Sequence, residues 1–72
     1  MNLKTFKIEH NGLSFKIEED YPEVGTYLYV FKNNKCIKDY LQNTVLDCKE
    51  IAFEQYGVPI NNWEEVKIFP QH

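Results

Sequence analysis

The sequence predicts an α+β fold: two β-hairpins forming an antiparallel four-stranded sheet, packed on one C-terminal amphipathic helix and followed by a short helical turn or extended tail. Three observations predict it. A nine-residue repeat brackets Asn11-Gly12, a β-branched and aromatic run precedes Asn33-Asn34, and after Asp39 the apolar period changes from that of a strand to that of a helix. With 72 residues, 43% of them apolar, the chain makes one domain spanning residues 1–72. A core this small supplies only about 3–5 kcal/mol, so pairing with a second copy would add stability.

The first hairpin, over residues 3–18, is read from Phe6-Lys7-Ile8-Glu9 and its echo Phe15-Lys16-Ile17-Glu18. Asn11-Gly12 between them suits a type I′ turn, in which both central residues take positive φ. That turn pairs His10 with Leu13, Ile8 with Phe15 and Phe6 with Ile17, which gathers the five apolar residues and the histidine on one face. On the other face Lys7 opposes Lys16, with Glu9 and Glu18 diagonal to them. A one-residue slip would turn Phe6 and Ile8 toward water.

Glu18-Glu19-Asp20-Tyr21-Pro22-Glu23-Val24-Gly25 reads as an acidic connecting loop. Thr26-Tyr27-Leu28-Tyr29-Val30-Phe31 then opens a second hairpin over residues 26–38, turning at Asn33-Asn34 and pairing Val30 with Ile37 and Phe31 with Cys36. Leu41, Val45, Cys48, Ala52 and Tyr56 recur at helical spacing and predict a helix over residues 40–56. Asp39 with Gln42 resembles a capping box at its start, and Gly57 before Val58-Pro59 stops it. In the tail, residues 60–72, Asn62 can cap a helical turn and Val66-Lys67-Ile68 can form an edge strand; a turn followed by extended chain fits best. Trp63 is expected to cover one edge of the core.

Composition excludes several classes of function. No stretch approaches the roughly 20 apolar residues of a membrane-spanning helix, and Met1-Asn2-Leu3-Lys4 lacks the apolar run of a secretory signal, so a cytoplasmic protein with no membrane partner is expected. Two cysteines, Cys36 and Cys48, are too few for a disulfide framework and are expected to be reduced. Eight lysines, no arginine and eleven acids give a net charge of -3, which disfavours a nucleic-acid partner. His10, His72, Cys36 and Cys48 lack the short-range spacing of a zinc site, so no metal is expected. With no glycine-rich phosphate loop, no cofactor is implied. His10 has no nucleophile motif near it and reads as a rim histidine, so no catalytic residue is assigned. Lys35, Lys38 and Lys49 lie near the cysteines in sequence, yet structural thiols are the simpler reading.

Two surfaces remain. If Phe6, Ile8, Phe15, Ile17, Leu28, Val30 and Ile37 face the helix, alternation sends Tyr27, Tyr29, Phe31 and Cys36 to the opposite side, near Lys7, Lys16 and Lys38. That aromatic face could be covered by the tail through Trp63 and Phe69, by a second copy, by another protein or by single-stranded nucleic acid stacking its bases. Leu46 and Phe53 form a second apolar ridge off the main helical stripe, which meets either the tail or a partner. Asp39, Gln42, Asn43 and Thr44 gather at the expected strand-to-helix junction, where capping, or less simply anion binding, would employ them. The acidic run Glu18-Glu19-Asp20 with Glu23 reads as a solvated loop rather than a site for a basic partner.

Gly25-Thr26-Tyr27-Leu28-Tyr29-Val30, Asp39-Tyr40-Leu41-Gln42-Asn43-Thr44, Tyr56-Gly57-Val58-Pro59 and Trp63 together resemble a set of short uncharacterised bacterial proteins, over residues 24–66. The resemblance implies a small bacterial α+β domain and carries across no catalytic or binding residue. The resulting expectation is a noncatalytic interaction module, a homodimer or a partner of another protein, using the aromatic face or the Leu46–Phe53 ridge. A weak single-stranded nucleic-acid binder is the alternative, followed by a small-ligand enzyme.

Overall fold

Local turn chemistry sets the first hairpin. In the computed structural model, which describes residues 3–67, β1 (Thr5–His10) and β2 (Leu13–Glu19) are antiparallel. Asn11 and Gly12 connect them at φ 52° and 80°. The pairing is the expected one: His10 opposite Leu13, Ile8 opposite Phe15, Phe6 opposite Ile17. β2 continues through Glu19, one residue beyond the expected end of the hairpin. Glu19 donates its backbone N–H to the Lys4 carbonyl at 2.9 Å, and its carboxylate accepts from the Lys4 N–H at 2.9 Å. Part of the acidic run is therefore strand rather than solvated loop.

β3 (Thr26–Lys32) and β4 (Lys35–Gln42) make the second hairpin around Asn33 and Asn34, at φ 52° and 66°. Here the structure corrects three expectations. Phe31 does pair with Cys36, but Val30 pairs with Lys38 rather than Ile37, because β4 carries one extra residue opposite the Val30–Phe31 step. Ile37 is left 52% exposed instead of entering the core. β4 also runs on to Gln42, so the hairpin covers residues 26–42 rather than 26–38, and the helix cannot begin at residue 40.

The helix α1 is Val45–Tyr56, and Thr44, not Asp39, is its N-cap: Thr44 Oγ1 accepts the Asp47 N–H at 3.0 Å. Asp39 sits opposite Tyr29 and Gln42 opposite Thr26 in the ladder, so neither can cap a helix. Leu41 belongs to β4 and is 51% exposed, whereas Val45, Cys48, Ala52 and Tyr56 do form the inward stripe. Gly57 ends α1 in the left-handed region at φ 75°, and its N–H reaches the Phe53 carbonyl at 2.9 Å.

After α1 the chain makes a 3-10 turn at Ile60–Asn62 and a three-residue strand β5 (Glu64–Val66), so both forms occur but earlier than expected: Asn62 ends the turn rather than capping it, and the strand stops at Val66 instead of running through Val66-Lys67-Ile68, of which Ile68 lies outside the described residues. β5 pairs antiparallel with Thr5, Phe6 and Lys7 of β1, adding a fifth strand to the order β4-β3-β2-β1-β5. α1 lies across β2, β3 and β4. The core is Phe15, Ile17, Leu28 and Val30 from the sheet, Cys48 and Ala52 from the helix, and Val58 from the segment after it, each at most 1% exposed. Fully burying a side chain such as Leu28 or Phe15 stabilises by about 1.5–3 kcal/mol, so loss of one is a large fraction of the total.

Gly25 joins the acidic turn to β3 with φ 115°, and a Cβ built there would stand 2.5 Å from the Gln42 carbonyl oxygen. Only glycine combines that dihedral with that approach. Gly25→Ala is therefore expected to destabilise the fold by about 2 kcal/mol or more, read as a lower urea midpoint with unchanged slope. An unaltered midpoint would mean that β3 and the end of β4 are not held this closely.

Candidate interaction surface

Strand alternation and cross-strand register together define the sheet face that α1 leaves open. Residues directly opposite one another share a face, so the pairings resolve that face into three rows. Thr5, Glu18, Tyr27 and Leu41 form one; Lys7, Lys16, Tyr29 and Asp39 the next; Glu9, Ser14, Phe31 and Cys36 the third. The aromatic column runs along β3. Tyr27 and Tyr29 stack with ring centroids 5.7 Å apart and 15° between planes, and Tyr29 lies 6.3 Å from Phe31. Leu28 and Val30, the intervening residues, are fully buried beneath α1.

Tyr27, Tyr29 and Phe31 thus lie where alternation put them, half-buried among their neighbours. Leu41 and Asp39 join them, and sequence reading missed both because it placed them at the start of the helix. The overlooked signal was Thr44 with Asp47 three residues later, a cap with an acidic group in the first turn. Of the three lysines expected nearby, Lys16 is present: its Nζ lies 6.0 Å from the Tyr29 ring centroid and 3.1 Å from Glu18 Oε2. Lys7 is one strand further out, 3.9 Å from Glu64. Lys38 is on the helix side, its Nζ 5.5 Å from the Tyr40 ring, because the extra residue in β4 shifts it into register with Val30.

A shallow groove of about 220 Å³ between β2, β3 and β4 is lined by Lys16, Glu18, Tyr29, Phe31 and Cys36. Burial and the neighbouring carboxylates of Glu18 and Asp39 hold the Tyr29 hydroxyl above its ordinary pKa. No described element covers the face. Trp63 does not reach it, packing instead on the helix side with its ring 6.4 Å from Phe15, where it closes the core edge as expected. Its Nε1 is buried without a hydrogen-bond partner among the described residues. Phe69, the other residue expected to cover the face, lies outside the described residues.

The remaining candidates do not converge. Asp39 and Gln42 are on opposite faces of β4, Asn43 is exposed, and Thr44 caps the helix, so the four side chains do not gather at one point. Leu46 and Phe53 are 55% and 54% exposed on the outer side of α1, and no described residue covers that ridge. His10 is half-buried beside Gly57 and makes no side-chain hydrogen bond among the described residues. The larger cleft, about 370 Å³, opens at the β1 edge where β5 stops; Lys7 and Glu64, which line it, pair with each other. Tyr40 and Tyr56 share a hydroxyl–hydroxyl bond of 3.2 Å that ties β4 to α1 and raises the Tyr56 pKa. No described group of His, Cys, Asp and Glu side chains is placed to hold a metal, His72 lying outside the described residues. No described helix is long and apolar enough to cross a membrane.

Comparison of the chain with protein-family models, with curated proteins and with solved structures finds no match.

The two free thiols differ sharply. Cys36 is exposed on the open face, while Cys48 is fully buried, bonds the Thr26 carbonyl at 3.6 Å and is pushed up from 9.0 to about 11 by burial and by Asp47. At low micromolar concentration the native protein is expected to consume one equivalent of a thiol reagent rapidly and the second only on unfolding, with Cys36→Ser removing the fast phase. Because the folded pKa of Cys48 lies above its unfolded value, its contribution is complete below pH about 9 and lost as pH rises toward 11. Urea midpoints across that window are expected to fall less steeply in Cys48→Ala than in the wild type; equal slopes would assign the alkaline loss to other groups.

Proposed function

We propose that the chain is a noncatalytic protein–protein interaction module of the cytoplasm, and that its partner is a second copy of itself. The observation that carries this reading is the row of Tyr27, Tyr29 and Phe31 on the open face, extended by Leu41 into an apolar strip across β3 and β4. Rows of aromatic side chains on an open sheet are costly to leave in water, and Tyr and Phe are enriched at the buried centres of interfaces. A self-complementary surface also answers the stability problem of a 72-residue chain, since pairing two sheets adds a second apolar layer.

A single-stranded nucleic acid would use the same rings as stacking platforms. Lys16, the cation over the Tyr29 ring, is already paired with Glu18, and Asp39 on the other side of the ring together with the net charge of -3 argues against a phosphate chain passing over it. For catalysis, the His10 side chain has no hydrogen-bonded acid or nucleophile among the described residues.

Light scattering coupled to size exclusion tests the reading. The wild type is expected to run as a dimer at tens of micromolar, and Tyr29→Glu to weaken the dimer by about thirtyfold or more while keeping its circular dichroism. Phe53→Glu, on the helix ridge, is expected to leave the mass unchanged. A monomer at every concentration overturns the proposal, and a dimer broken only by Phe53→Glu moves the interface to the ridge.

A further inference from the structure

The open face carries charge as well as aromatic surface, and with Tyr29 at the centre of the contact the arrangement of that charge distinguishes two ways of pairing. In the central row Lys16 and Asp39 flank Tyr29 on opposite sides, one on β2 and the other on β4. They are separated by the width of β3, so they do not pair within the chain. Lys16 is held by Glu18 at 3.1 Å, and Asp39 has no cationic partner among the described residues.

Two copies packed face to face are related by a twofold axis lying between the sheets, and the axis can run along the strands or across them. An axis along β3 lays β3 on β3 and places each β2 over the partner's β4. Lys16 then meets the partner's Asp39, twice by symmetry, while Tyr27, Tyr29 and Phe31 meet their own copies in the centre. An axis across the strands through Tyr29 lays every strand on its own copy. It sets Lys16 against the partner's Lys16 and Asp39 against the partner's Asp39, two like-charge contacts at a desolvated surface.

Resting on the dimer reading above, we infer that the two copies pair about an axis along β3, with their β3 strands running in the same direction and Lys16 of each chain paired with Asp39 of the other. The ammonium of Lys16 has three donors, so it keeps Glu18 within its own chain and accepts the partner's carboxylate as a second acceptor. Aligned sheets cross at about 30°, a twist that keeps a central row in contact while the outer strands diverge. Lys7 and Glu64 then fall outside the contact.

Charge reversal separates these geometries. Lys16→Glu and Asp39→Lys are each expected to weaken the dimer about tenfold or more, because every interface then carries two like-charge contacts. Mixing the two variants in equal amounts is expected to restore near wild-type affinity, since a heterodimer sets Glu against Lys at one contact and the native Asp39 against the native Lys16 at the other. Light scattering of each variant and of the mixture reads the result. Restoration on mixing also shows that both variants are folded. Single variants as tight as the wild type, with or without a tighter mixture, overturn the axis along β3 while leaving the dimer standing. Weakened variants that stay weak on mixing overturn it as well, and a monomeric wild type removes the dimer and the axis together.

Discussion

Everything in this molecule turns on the sorting of β3, where a strict two-residue alternation sends Leu28 and Val30 under the helix and Tyr27, Tyr29 and Phe31 to the other side. β3 lies between β2 and β4, so its inward pair meets Phe15 and Ile17 laterally and Cys48, Ala52 and Val58 from above. Shifting its register by one residue would exchange the whole set, placing two phenols and a phenyl ring against the helix. The same constraint that builds the core therefore creates an aromatic outer face as its unavoidable complement.

In the proposed dimer that complement also supplies specificity. Hydrophobic surface alone would stick to many partners, whereas in the proposed dimer Lys16 and Asp39 on either side of Tyr29 favour the arrangement that sets unlike charges together. Glu18 holds Lys16 in place at 3.1 Å, and Asp39 stands across Tyr29 from it. The proposed dimer thus draws apolar attraction and electrostatic selection from neighbouring rows of one face.

The first hairpin was legible in the sequence down to its register, because Asn11-Gly12 fixes the turn locally and the repeated Phe-Lys-Ile-Glu pattern tolerates only one pairing. The facing of β3 was legible for a similar reason. The β4–α1 boundary was not. Leu41 fits both a helical stripe ending in Val45 and Cys48 and a strand alternation through Asp39, and Asp39 with Gln42 imitates a cap. What decides between them is nonlocal: β3 extends back to Thr26, and its ladder needs Gln42 as a partner. The extra residue at Ile37 was hidden as well, since no local signal marks it, and with it went the positions of Ile37 and Lys38. Those losses removed Leu41 and Asp39 from the expected surface.

The account is tested most directly by following backbone amide chemical shifts as the protein is concentrated from low micromolar to millimolar. It predicts that Lys16, Tyr27, Tyr29, Phe31 and Asp39 move together along a single binding curve while Leu46 and Phe53 stay still. Shifts confined to the helix ridge, or no concentration dependence at all, would contradict it.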